Sequence, residues 1–228
     1  MLWYKAWLEL RWRFLLPLAG TFVAAWWLIG LRVDSPTRYT INFLSLFIWP
    51  MVAVTQAGAG INTQVTYGAR AGVHASMLFT LSLPVRRRRL VAVRAGLGAL
   101  LTAVLVTCQC FFGWAVAPAL RARLTPADVA LYAICALAGS LVFYALGVLL
   151  SAMVDETWVV HGSVLALFAI VVLRMHVKPF ASIDIFRVMG DLSYPMTGRM
   201  PWDMLAACAA VTLALVAVAA AIVERKEY

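Results

Sequence analysis

Long apolar runs separated by short polar clusters dominate the chain, and each run is close to the ~20 residues that a helix needs to cross a hydrocarbon core. Residues 14–31 hold no charge at all, and comparable runs follow at 39–60, 90–117, 129–154, 157–173 and 204–223. This pattern predicts six transmembrane helices and an all-α integral membrane protein. Within 129–154, Ser140, Tyr144, Gly147 and Ser151 recur at i, i+4, i+7 and i+11, a small and polar stripe on which another helix can pack closely. Residues 39–60 hold Asn42, Ser45, Thr55 and Gln56, which makes this the most polar of the early runs.

The segments between the runs carry patterns of their own. In residues 2–14, Trp3, Trp7, Leu10 and Phe14 recur on one helical face, with Lys5, Glu9 and Arg13 opposite. That spacing predicts an amphipathic helix in the membrane interface, its tryptophans at headgroup depth. A cleaved signal peptide would instead place its charges before an apolar core. In residues 72–83, Val73, Met77, Leu78 and Leu81 fall near one face of a second short amphipathic helix, which also carries His74. Pro84 ends it, because the residue before a proline avoids the helical region. Residues 174–203 are too polar and broken to cross a bilayer, yet Phe180, Ile183, Ile185, Phe186, Val188 and Met189 are too apolar for an ordinary loop. Two short interfacial or re-entrant pieces around Gly190 and Pro195 are expected there.

Composition strengthens the membrane assignment, since 64% of the 228 residues are hydrophobic and only 13% are charged. A soluble domain is nearer half apolar and about a quarter charged. The net charge of +9 suits contact with anionic lipid. Arg86, Arg87, Arg88, Arg89 and Arg94 form a basic collar at the mouth of the third run, the usual mark of a cytoplasmic anchor. Such a run can bind nucleic acid, but one abutting a span lies among headgroups, so no nucleic-acid partner is expected. Six spans place both termini on one side, and 11 of the 19 Lys and Arg residues fall there, the collar and ERKEY ending included. The termini are therefore expected in the cytoplasm. Cys108, Cys110, Cys135 and Cys208 all lie in apolar runs, and C-x-C on a helix directs its side chains apart, so neither a disulfide nor a metal is indicated.

Catalytic motifs are missing from the sequence. It has no G-x-x-x-x-G-K-[ST] to cradle phosphate, no H-E-x-x-H and no G-x-S-x-G, and His74, His161 and His176 are scattered. No charge lies deep in a run, where ion and proton pathways place theirs. Enzymes with paired ionisable groups at membrane depth and ion-coupled carriers both lose support.

The segment MLFTLSLPVRRRRLVAVRAGLGAL, Met77 to Leu100, resembles the stretch of type-2 ATP-binding-cassette (ABC) permeases in which a short cytoplasmic helix ends in L-x-L-P-V-x-R-x-x-L and enters the third span. The resemblance extends to the order of elements along the whole chain, with one departure: many relatives carry an acidic residue in the cytoplasmic helix, and Gly72 to Leu83 has none. It implies a non-catalytic permease subunit of the inner (cytoplasmic) membrane, an exporter working as a homodimer or heterodimer. No cofactor is implied on this chain; ATP and Mg²⁺ would sit on separate ATPase subunits. His74, Met77, Leu78 and Leu81 would contact the ATPase through a coupling helix at 72–83, and Asp155 and Glu156 through a second contact. Asn42, Ser45, Thr55, Gln56 and Ser163 are the candidates for a substrate path between protomers. The alternatives are a non-transporting scaffold or signalling subunit, or an intramembrane enzyme.

Overall fold

The computed structural model of the chain describes residues 48–57, 87–153, 185–190 and 192–225, together with residues 3, 4, 7, 10–12, 14–20, 23, 162, 165 and 169. Among these residues the protein is all-helical, without strands. The bounded helices are α1 (Trp49–Ala57), α2 (Arg87–Val116), α3 (Pro118–Arg121), α4 (Pro126–Met153), α5 (Ile185–Met189), α6 (Tyr194–Thr197) and α7 (Trp202–Arg225). Among the described residues three helices are long and apolar enough to cross a membrane: Val91–Val116 within α2, then α4 and α7. With 28 residues, α4 measures about 42 Å, more than a ~30 Å hydrocarbon core, so it must tilt or project.

Local chemistry sets the helix ends. Ala117, at φ −90° and ψ 106°, is held extended by the ring of Pro118 and ends α2. Thr125 then caps α4: the Asp128 backbone N–H donates to its Oγ1 at 3.3 Å, while its own backbone N–H donates to Asp128 Oδ2 at 2.8 Å. This reciprocal pair satisfies two donors that the first turn would otherwise leave open, and Pro126 has no N–H to lose. Gly198 takes the left-handed conformation (φ 67°) that closes α6. In α7, Asp203 in the first turn and Arg225 in the last both complement the helix dipole.

Among the described helices, α4 is the central one. Its buried residues, from Val129 through Ala136, Phe143 and Val148 to Ala152, cover its whole circumference, as expected of a helix that is apolar all round. By contrast α7 buries only Cys208, Ala219 and Val223, a single narrow stripe, and exposes Val211, Leu213 and Val218. An outward apolar face costs nothing against lipid, so α7 suits the rim of a membrane bundle.

Contacts fix the directions of the helices. Gly98 of α2 lies against Tyr144 of α4, and Cys110 lies beside Tyr132, so α2 and α4 are antiparallel. Trp49 at the start of α1 bonds Tyr132, whereas Val54 and Ala57 lie at Gly147, so α1 runs with α4. Cys208, early in α7, shares a buried cluster with Cys135, early in α4, so α7 also runs with α4. The end of α1, the start of α2, the end of α4 and the end of α7 therefore share one end of the bundle, the arginine end. The opposite end carries residues 117–125 and 190–201.

Several boundaries differ from the sequence pattern. Helix α2 starts at Arg87 rather than residue 90, which puts Arg87, Arg88 and Arg89 inside its first turn; α4 starts at Pro126 rather than 129, and α7 at Trp202 rather than 204. In each case the polar rim continues as helix beyond the apolar run, since hydropathy marks the hydrocarbon and not the helix end. All described residues between 3 and 23 are helical. The face expected to meet lipid there packs on protein: Leu10 is buried against Leu97 and Leu101 of α2, with Trp7 and Phe14 alongside. Residues 185–197 form the two short helices α5 and α6, separated by Gly190 to Ser193.

Candidate functional site

The buried polar groups gather on the seams that α4 makes with α1 and α2. Trp49, only 1% exposed, donates from Nε1 to the Tyr132 hydroxyl at 3.3 Å, which satisfies two amphipathic rings in one apolar site. The Tyr144 hydroxyl donates to the Ala95 carbonyl of α2 at 2.9 Å. Thr102 donates to the Gly98 carbonyl at 2.9 Å, and Ser151 to the Val148 carbonyl at 2.8 Å, each within its own helix. Ser140 Oγ is fully buried and makes no hydrogen bond among the described residues.

Three glycines allow these seams to close. A Cβ at Gly98 would stand 2.9 Å from two ring carbons of Tyr144, a Cβ at Gly147 would stand 2.6 Å from the Ala57 Cβ, and a Cβ at Gly139 would stand 3.2 Å from Met189 Cε with two nearer atoms behind it. So α4 receives α1 at Gly147, receives α5 at Gly139 and sends Tyr144 into α2. The Ser140–Tyr144–Gly147–Ser151 stripe is thus a packing surface for two neighbouring helices. Above it, Phe186 of α5 stacks on Phe143 with ring centroids 5.3 Å apart.

Of the proposed path residues, Thr55 and Gln56 are described. Gln56 is 1% exposed in the α1 seam, and Thr55 is half-buried with its hydroxyl bonded to the Val52 carbonyl of its own helix at 2.8 Å. Asn42, Ser45 and Ser163 lie outside the described residues, as do His74, Met77, Leu78, Leu81, Asp155 and Glu156. In the collar, Arg86 is likewise outside; Arg87 and Arg88 open α2, Arg89 is exposed in the same first turn, and Arg94 is half-buried. The Trp49–Tyr132 pair was hidden from the sequence, because residues 83 apart with no shared periodicity give no signal. Among the described residues no group of three or more His, Cys, Asp or Glu is placed to hold a metal, and Cys110, Cys135 and Cys208 are buried free thiols. No family model matches this chain, and neither a curated protein nor a solved structure matches it.

Proposed function

We propose that the chain is the membrane-spanning subunit of a type-2 ABC transporter, most simply an exporter, working as a dimer with two separate ATPase subunits. In this reading the six apolar runs are six spans, both termini are cytoplasmic in the inner membrane, and 174–203 dips into the outer leaflet. Residues 72–83 form the coupling helix, with His74, Met77, Leu78 and Leu81 towards the ATPase, and Asp155 and Glu156 make the second contact.

One observation carries the proposal. Ala57, where α1 ends, packs on Gly147 near the end of α4 at Met153, so the two segments with these roles, 58–86 and the residues after 153, are joined to the same end of the bundle. A single ATPase surface could therefore reach both. Parallel α1, α4 and α7 with antiparallel α2 also match spans two, four, six and three of a six-span chain. Because α4 and α7 run the same way, the chain between them must travel back along the bundle, and the apolar run 157–173 is the segment able to do so in lipid. Motion would follow ATP-driven closure of the ATPase pair, passed on through a rigid element held differently in two states. The test is co-purification with a P-loop ATPase encoded beside this chain, followed by ATP hydrolysis in proteoliposomes. Association with substrate-stimulated hydrolysis supports the proposal; a chain that recruits no ATPase returns the scaffold reading.

A further inference from the structure

Sulfur gathers at the end of the bundle opposite the arginines. Four of the nine methionines lie between residues 189 and 204, and Met200, Met204 and Cys208 recur at i, i+4 and i+8. Met204 and Cys208 stand one turn apart on the same face of α7. Met200 comes just before that helix, its carbonyl accepting from the Trp202 N–H at 3.0 Å. This face meets α4 at Cys135. The two thiols, Cys135 and Cys208, share one buried cluster against which Met200 and Met204 pack, and they lie within electrostatic reach of each other.

Burial is graded along this line of sulfur. Met200 and Met204 are half-buried near the rim, whereas Cys208 is 5% exposed and Cys135 0%. Cys208 is about 9 Å of helix rise beyond the start of α7, so the thioethers lead inward to the thiols. Val142, Val188, Leu205 and Leu215 complete the cluster, and no imidazole or carboxylate is buried among the described residues. The Tyr194 backbone N–H is directed at the Cys135 sulfur, a donor of the kind that orients and steadies a sulfur ligand. Two thiols are too few for zinc, which takes four ligands mostly from Cys and His, and hard cations require oxygen. Thiolate and thioether together select copper(I). A monovalent ion on one thiolate is also neutral overall, which an apolar layer tolerates far better than a net charge.

We propose that Cys135, Cys208 and Met204 form a binding site for a soft monovalent cation, copper(I) or its analogue silver(I), reached from the rim past Met200. The ion arrives already monovalent, so no electron is transferred. It displaces one proton from the Cys135–Cys208 pair to water, and the thioether adds a neutral donor. Packing accounts for scattered sulfur in a core, since Met fills gaps and Cys behaves as a small apolar residue. It gives no reason for thioethers at the rim to lead, with rising burial, to two thiols on different helices. The site is independent of the permease reading, and it is measured on this chain with no ATPase present.

The experiment is copper(I) titration of the purified chain in nanodiscs, kept reduced with ascorbate and in competition with the chelator bicinchoninate. It compares wild type, C135S/C208S, M204L and C108S, the last removing the exposed thiol of α2 outside the cluster. The expected result is a single copper(I) ion held by wild type and C108S, affinity lowered roughly tenfold or more in M204L, and binding lost in C135S/C208S. X-ray absorption of the loaded wild type should show sulfur ligands alone. No binding by wild type, undiminished binding by M204L or C135S/C208S, an equal loss in C108S, or nitrogen or oxygen ligands in the spectrum would each overturn the assignment and leave the sulfur as core filling. If C135S/C208S fails to fold, M204L and the wild-type spectrum still decide.

Discussion

The phenol of Tyr144 lies in the notch left by Gly98 on the neighbouring helix, and its hydroxyl donates to the Ala95 carbonyl one turn earlier at 2.9 Å. A side chain at residue 98 and the ring at residue 144 cannot occupy the same space. The ring is also buried and tethered, so it cannot swing aside as an exposed side chain would. Gly98→Ala is therefore expected to destabilise the bundle by about 1–3 kcal/mol, the usual cost of overpacking. Tyr144→Phe should cost less, on the order of 1 kcal/mol, because it removes only the hydrogen bond. Thermal unfolding of the detergent-solubilised protein measures both; a Gly98→Ala variant as stable as wild type would show that α2 and α4 are less closely apposed than described.

The contact between α1 and α4 allows a sharper test, because the clash there involves a methyl group that can be deleted. At Gly147 a Cβ would stand 2.6 Å from the Ala57 Cβ and 3.7 Å from the Val54 backbone. Gly147→Ala alone should lower stability, and Ala57→Gly alone should cost roughly 0.5–1 kcal/mol through helix propensity. Together they should be less harmful than the sum of the two, with a favourable coupling of about 0.5–3 kcal/mol. Simple additivity in the double mutant would mean that the two residues do not touch.

How legible was this in the sequence? The cores of α2, α4 and α7 were plain, because hydropathy over a long run leaves a helix as the only affordable conformation in lipid. The helices run two or three residues beyond the apolar runs at Arg87, Pro126 and Trp202, because hydropathy marks the hydrocarbon layer and not the end of a helix. The Ser140–Ser151 stripe announced a close contact but not its partner. Ala57, Tyr144 and Gly98 meet only through tertiary placement, and no periodicity in α1 or α2 marks Ala57 or Gly98. Leu10 shows the same limit from the other direction: an amphipathic face reads alike whether lipid or Leu97 covers it. The candidate ATPase contacts His74, Met77, Leu78, Leu81, Asp155 and Glu156 rest on the sequence alone.

The proposed topology has a direct test. With the arginine end cytoplasmic, a cysteine at 227 should be shielded from an impermeant thiol reagent in intact cells, and a cysteine at 128 should react. The native cysteines are removed first; Cys108 is exposed on α2 and would otherwise confuse the result. Reaction at 227 with protection at 128 would invert the orientation and place the arginine collar outside, against the charge bias that favours it.

The most direct test of coupling uses Leu78 and Leu81. They lie five and two residues before the Leu83-Pro84 step that precedes the arginines, on a predicted helix whose apolar side faces either lipid or a protein groove. The two cases differ in energy. Truncating a buried anchor at a protein interface typically costs about 2 kcal/mol or more of association, whereas truncating a lipid-facing leucine leaves a protein partner almost untouched. Leu78→Ala with Leu81→Ala should therefore leave the chain inserted but weaken ATPase recovery by tenfold or more, since each ~1.4 kcal/mol is one decade. Substrate-stimulated hydrolysis should disappear with it. Replacing Arg87 and Arg88 by Gln instead should lower membrane yield or disturb orientation, because those residues open α2 and a basic cluster beside an apolar span sets its orientation. The measurement is ATPase pull-down normalised to permease recovered. Unchanged recovery in the leucine double mutant would make residues 72–83 a membrane float, and the ATPase would then have to be held elsewhere at the arginine end.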